Sequence, residues 1–200
     1  MSSVITKLSQ LDLKGTYSYA DYLLWQFSER VELIKGKVFK MSPAPSSSHQ
    51  DISMNLIRII DKVFYKTNCK FYAAPFDVRL INYKVSTPEN EILSVVQPDL
   101  CVICDRTKVD EKGCLGSPDL VVEILSSGNS KKEMDTKFDL YQENKILEYW
   151  IVDPFQKTIL VYVLKNEHYI GMKPYLEESK FRSPSFPNLK VSVKKVFEIK

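Results

Sequence analysis

Two acidic residues sit inside otherwise apolar stretches of this chain. Asp99 stands between Pro98 and Leu100, and Glu123 between Val122 and Ile124. The stretches 97–104 and 117–125 are short, rich in branched apolar residues and bounded by Pro, Ser or Gly, which is the pattern of strands in a central sheet. An ionised carboxylate in a buried strand is costly unless something compensates it. Two compensations are open: a salt bridge or backbone N–H groups, or a divalent cation shared by carboxylates on adjacent strands. Spacing restricts the second. Asp119 and Glu123 share a face because side chains alternate along a strand, yet at about 3.3 Å per residue they lie roughly 13 Å apart. Neighbouring strands are only about 4.8 Å apart, so Asp99 could meet Glu123 if the two strands pair. Asp119 reads instead as a strand-opening residue after Pro118.

The surrounding chain must position these acids. Ser18 caps a predicted helix over 19–27, with Asp21 in the capping-box position. Stretches 30–34 and 37–41 flank Lys35-Gly36 and read as a hairpin. A Pro- and Ser-rich loop at 42–48, whose serines can cap, precedes a helix over 49–66, in which Ile52, Leu56, Ile59, Ile60 and Val63 recur at helical spacing. Strands are expected at 70–74 and 77–82, an exposed loop at 84–93, a single strand over 95–104 carrying Asp99, and a polar connection at 105–116. Ser126-Ser127-Gly128-Asn129-Ser130 offers a turn and N-caps for a helix over 131–143, where Met134, Phe138, Tyr141 and Lys145 form one stripe. A strand at 148–152 stops at Asp153-Pro154, a hairpin pairs 158–165 with 167–172 about Asn166, and a last strand lies near 189–193. Strands covered by helices argue for a mixed α/β sheet. The expected organisation is an N-terminal extension, residues 1–15, and a single domain, residues 16–200.

Two hundred residues suffice for one domain with a substantial core. No apolar run reaches the roughly 20 residues of a membrane span, and residues 1–14 lack the apolar core of a signal peptide. A cytoplasmic location is the default expectation. A net charge of +3 permits nucleic-acid binding without indicating it. The lysines at Lys131-Lys132 and at Lys190, Lys194, Lys195 and Lys200 read as solvated faces. Cys101 and Cys104 have metal-ligand spacing, but residues three apart on a strand point to opposite faces. No second paired motif completes four ligands, and His49 and His168 are not suitably spaced. Reduced, mostly buried thiols in a reducing compartment are expected for Cys69, Cys101, Cys104 and Cys114, with neither metal nor disulfide joining Cys101 to Cys104.

An ordered set of segments carries a resemblance. It comprises Val31-Glu32-Leu33-Ile34-Lys35-Gly36, Met41-Ser42-Pro43 with His49, Pro98-Asp99, Glu123-Ile124-Leu125-Ser126, Lys137-Phe138-Asp139-Leu140-Tyr141 and Glu148-Tyr149-Trp150-Ile151-Val152-Asp153-Pro154. Over residues 16–197 the chain resembles the Uma-type restriction endonucleases, a bacterial family of the PD-(D/E)XK nuclease superfamily. The resemblance implies a restriction-endonuclease-like α/β fold, a mixed sheet flanked by helices, with the active site where two neighbouring strands diverge. It implies Asp99 and Glu123 as metal ligands, the Ile124 carbonyl as a third, and Glu32 as an accessory acid; the alternative for Glu32 is an exposed hairpin charge.

The chain departs from the superfamily pattern at Leu125, where a lysine is expected two residues after Glu123. The family supplies its lysine from the following helix, which matches Lys137. Helix geometry agrees: at 100° per residue Lys137 lies about 40° from Tyr141 and about 60° from Met134, at the border of the apolar stripe. Lys131 is the second candidate, and Lys132 should face solvent. His49 either lines the site or merely begins its helix. The implied activity is Mg²⁺- or Mn²⁺-dependent hydrolysis of DNA phosphodiester bonds, with DNA as partner, no membrane, and a homodimer as the candidate assembly. The rivals are a catalytically inactive nuclease-fold binding or regulatory module, motivated by Leu125, and a structural homo-oligomer without a nucleic-acid ligand.

Overall fold

The structure is a computed structural model that describes residues 4–41, 44–81, 88–126 and 131–199, the side chains of Lys131 and Lys132 excepted. In chain order its elements are α1 (Tyr19–Tyr22), β1 (Val31–Ile34), β2 (Lys37–Lys40), α2 (Ser47–Phe64), β3 (Lys70–Ala73), β4 (Val78–Leu80), β5 (Ser94–Val96), β6 (Leu100–Ile103), β7 (Val109–Asp110), β8 (Gly113–Leu115), β9 (Leu120–Ile124), α3 (Lys131–Glu143), β10 (Glu148–Asp153), β11 (Thr158–Lys165), β12 (His168–Gly171), β13 (Lys180–Arg182), β14 (Lys190–Ser192) and α4 (Val193–Val196). One sheet has the order β2-β1-β5-β4-β8-β7, a second the order β12-β11-β10-β9-β6-β3, and β13-β14 forms a separate ribbon. Among the described residues no helix is long and apolar enough to cross a membrane.

The second sheet is the layer that everything else covers. Its parallel pair β9–β10 is joined through α3, and β6 runs antiparallel to β9 with Leu100 opposite Val122. Alternation then divides the side chains. Leu120, Val122 and Ile124 join a core with Ile52, Leu56, Ile60 and Phe64 of α2, with Trp150, and with Phe181 and Val191 of the C-terminal ribbon. Val121, Cys101 and Ile103 turn the other way, into a core with Leu140 and Tyr141 of α3 and with Ile34, Val78 and Val96 of the first sheet. Glu123 belongs to this second face, pressed between α3 and the first sheet. Two hairpin turns, Lys35-Gly36 and Asn166-Glu167, have positive φ at both central residues (51° and 75°, 49° and 67°). That is the twist-matched two-residue turn, expected at Lys35-Gly36; at the second hairpin the turn takes in Glu167 as well as Asn166, and the return strand begins at His168 instead of 167.

Several expectations need correction. The stretch 95–104 is two strands in two sheets, because Pro98 has no N–H for a ladder and the chain crosses between sheets at 97–99. Asp99 therefore precedes a strand instead of lying inside one. The helix after Ser18 keeps its capping box but ends at Tyr22; Gln26 N then donates to Ile5 O at 2.8 Å, and the Trp25 ring packs on Tyr17. Residues 105–116 hold the β7–β8 hairpin, in which buried Arg79 anchors Asp110. Ser42, Pro43 and 127–130 lie outside the described residues, as do Asn82 with the first part of the 84–93 loop, Lys200, and the Lys131 and Lys132 side chains.

The cysteines also differ from expectation. Cys69 and Cys104 form a disulfide. They flank β3 and β6, whose register sets Lys70 opposite Ile103 and so brings the next residues face to face; a separation of 35 residues conceals that from the sequence. The pairing removes the thiol-based argument for a reducing compartment. Cys101 and Cys104 do lie on opposite faces, and Cys101 and Cys114 remain buried thiols. Burial pushes the Cys114 thiol up to about 12.

Glu148 shows how the tail is fastened. It is fully buried, and its carboxylate accepts from Trp150 Nε1 at 2.6 Å, Ser183 Oγ at 2.9 Å and Ser185 N at 2.7 Å. Glu148→Ala strands these donors at about 1–3 kcal/mol each. Urea unfolding of this variant is expected to show a loss of roughly 3 kcal/mol or more; wild-type stability would mean that the carboxylate does not hold the tail.

Candidate active site

Four elements converge on the divergence of β6 and β9. Asp99, just before β6, stands opposite Glu123 when the Leu100–Val122 register is extended by one residue. Its carboxylate takes the place of a ladder partner: Oδ2 accepts from Ile124 N at 2.7 Å, while its backbone O accepts from Ala74 N. From the facing first sheet comes Glu32, on β1, whose residues are all buried. The Leu33–Val95 pairing carries β1 alongside the crossing segment, and Gln97 N donates to Glu32 Oε1 at 2.8 Å. Glu32 is thus a buried site acid, 3% exposed, and not a hairpin surface charge.

The helix supplies the cation. Lys137 Nζ lies 3.0 Å from Glu123 Oε1 and 3.1 Å from Glu32, with its side chain 10% exposed. One turn later, Tyr141 Oη donates to Glu123 Oε1 at 2.6 Å. Lys137 and Tyr141 share the α3 face because they are four residues apart. The sequence identified Lys137 but read Tyr141 only as part of the docking stripe; its hydroxyl is what an apolar stripe conceals. His49, in the first turn of α2, places Nε2 3.4 Å from Asp99 Oδ2 and lies within reach of the Ile124 backbone carbonyl. Its buried Nδ1 has no hydrogen-bond partner among the described residues. Sequence reasoning missed Gln97, whose Nε2 donates to Asp77 Oδ1 at 2.7 Å and whose Oε1 accepts from Arg30 at 2.6 Å. Glu32, His49, Gln97, Asp99, Glu123 and Lys137 line a cleft of about 200 Å³, with Tyr141 behind Glu123 and outside the lining.

Burial pushes the Glu123 carboxyl up to about 7, with Asp99 and Glu32 adding to the rise and Lys137 and the Tyr141 hydrogen bond opposing it. For Lys137, burial works against the charged form, but the Glu123 and Glu32 carboxylates outweigh it and the net shift is upward, so the ammonium persists. The hydrogen bond to Asp99 raises His49 against the opposing effect of burial. Burial, then the charge on Glu123, keeps the Tyr141 hydroxyl protonated and donating.

Glu32, Asp99, Glu123 and Glu133 share the cleft with Lys137, Arg30 and His49, so the acids outnumber the cationic groups by one. Among the described residues no three His, Cys, Asp or Glu side chains are grouped as a ready-made metal cage. The donors at the divergence are two carboxylates and a backbone carbonyl. That hard-oxygen set suits Mg²⁺, which is commonly bound through one or two carboxylates while keeping several waters. The residues fit such an ion and do not fit a dedicated all-protein site.

In metal-free protein the Glu123 carboxyl is expected to titrate near 7, read by side-chain carboxyl ¹³C NMR; a midpoint at or below the usual glutamate value of 4.5 would mean that Lys137 outweighs burial. The linked stability has a definite sign. A folded-state value above the unfolded one favours folding below about pH 4.5, and that contribution is lost as pH rises through about 7.

Residues 19–194 match the Uma2 family, described as "Putative restriction endonuclease". An uncharacterized protein of Synechocystis sp. is 25% identical over 134 residues, 66% of this chain and 65% of that protein, so the chain spans just under two thirds of the length of this curated relative. The crystal structure of "a putative nuclease belonging to DUF820" from Anabaena variabilis superposes with a TM-score of 0.69 at 20% identity, covering 90% of this chain and 97% of that one, a likeness of fold. Because the family match extends over most of the sequence and includes every residue of the cleft described above, the chain belongs to the Uma2 family.

Proposed function

We propose that this protein is a nuclease of the restriction-endonuclease type that hydrolyses DNA phosphodiester bonds with the help of a divalent cation. The observation that carries the reading is Lys137, delivered by α3 to within 3.1 Å of both Glu123 and Glu32 in the cleft that also holds Asp99. A lysine from the helix thereby supplies the charge that Leu125 cannot.

Asp99, Glu123 and the Ile124 carbonyl would hold Mg²⁺ or Mn²⁺, which supplies Lewis acidity toward the phosphoryl oxygen and the attacking water. The chain's own groups do the rest. Lys137 stays cationic and stabilises negative charge that builds on the phosphate as water attacks and the P–O bond to the leaving oxygen breaks. Glu32, itself fixed by Gln97 N, restrains the Lys137 ammonium, and Tyr141 restrains the Glu123 carboxylate. Each site serves one strand, so cutting both strands of a duplex together would call for a homodimer.

One observation favours a second reading, an inactive binding or regulatory module: Lys137 is engaged by two carboxylates, as a purely charge-neutralising lysine would be. Kinetics separates the two. Wild-type protein with Mg²⁺ or Mn²⁺ is expected to nick plasmid DNA, Glu123→Gln to abolish nicking, and Lys137→Ala to lower the rate by roughly 10² or more, with circular dichroism verifying that each variant is folded. Wild-type rates in Lys137→Ala would remove its catalytic role, and an inert wild type with either ion would favour the binding module.

A further inference from the structure

A second concavity lies away from the cleft and shares no residue with it. It is a groove of about 490 Å³ between the C-terminal half of α2 and the β13–β14 ribbon. Lys62, Lys180, Arg182, Lys190 and Lys195 line it, and no carboxylate does. Among the described residues none of these five cations is ion-paired, whereas neighbouring Lys194 pairs with Glu178 at 3.0 Å.

The strand register makes the charge deliberate in a physical sense. Phe181 and Val191 point into the core, so alternation sends Lys180, Arg182 and Lys190 outward together. Arg182 sits directly opposite Lys190. Like charges facing each other across two strands are destabilising, and the ribbon carries this arrangement without an intervening acid. An anion relieves that repulsion. The cleft of the proposed active site is instead close to charge balance: Glu32, Asp99, Glu123 and Glu133 line it against Arg30, His49 and Lys137. Such a cleft offers a polyanion little purchase, so affinity for one must come from elsewhere on the surface.

We propose that the groove grips the phosphate backbone of duplex DNA as a second contact, remote from the catalytic cleft; this rests on the reading of DNA as the substrate. From His49 to Lys62 α2 rises about 20 Å at 1.5 Å per residue, a distance spanned by about six base pairs at 3.4 Å each. The occupant is a phosphate backbone read by charge, without base specificity.

The test is binding of a fluorescent 30-base-pair duplex, followed by anisotropy across a salt series in EDTA, so that cleavage plays no part. Wild-type protein should bind with a steep salt dependence. The variant Lys180→Gln/Lys190→Gln/Lys195→Gln should lose about 0.9 per lost phosphate contact in the slope of log affinity against log salt, about 2.7 in all. The corresponding Lys→Arg variant should keep the wild-type slope. An unchanged slope in the Gln variant, or no wild-type binding at low salt, overturns the proposal. Should the Gln variant fail to fold, lysine acetylation of the wild type reads the same contact: DNA should protect Lys180, Lys190 and Lys195, and equal labelling with and without DNA overturns it. A wild type that binds through the groove yet never nicks plasmid with metal would refute the nuclease reading alone. Nicking with an unchanged slope in the Gln variant would refute the groove alone.

Discussion

A carboxylate held away from water beside a lysine from another element is the constraint around which this molecule is arranged. Glu123 lies on the strand face that meets α3 and the first sheet, where burial alone would make its charge very unfavourable. Lys137 and the Tyr141 hydroxyl make that position tolerable, whereas Glu32, which shares the lysine, adds like-charge repulsion. Lys137 and Tyr141 come from α3 and Glu32 from β1, while Glu123 itself lies on β9, so the two sheets and α3 must be assembled before the site exists. A buried ion pair of this kind is weak evidence for stability, since the desolvation of both partners offsets much of their attraction. Its presence in a cleft, next to another acid at a strand divergence, gives it a chemical rationale instead.

The divergence has a local cause. Pro98 cannot donate to a ladder, and the segment 97–99 carries the chain from one sheet to the other. The Ile124 N–H that would otherwise lack a strand partner is met by the Asp99 side chain. A single crossing therefore opens the sheet, sets one acid at its edge, and lets Gln97 reach both Glu32 and Asp77. His49 arrives from the opposite core because its helix starts beside the same opening, capped by Ser46.

Much of the site was legible in the residues, and the fold less evenly so. Acids embedded in apolar runs marked Asp99 and Glu123, and 3.6-residue periodicity set Lys137 at the edge of the docking stripe. The hairpin turns and α3 followed from local patterns, which depend on neighbours in sequence. What escaped depends on partners far away. The division of 95–104 between two sheets and the Cys69–Cys104 disulfide are set by tertiary register, and the β7–β8 hairpin, although its own pairing is local, is anchored by β4 and by Arg79. The segment 148–154, prominent in the resemblance, turns out to be structural: Glu148 and Trp150 hold the C-terminal ribbon, and Asp153 Oδ1 accepts from Phe155 N to close a turn. Tyr141 was hidden for a different reason, because one residue serves both the core and the site.

The reading of Asp99, Glu123 and the Ile124 carbonyl as one cation site is tested most directly by anomalous diffraction from crystals soaked in Mn²⁺. The account predicts a single strong peak at the β6–β9 divergence, within about 2.5 Å of oxygens from all three residues, and its loss in crystals of Asp99→Asn. A site that stays empty at saturating Mn²⁺, or a peak that persists unchanged in the variant, would contradict it.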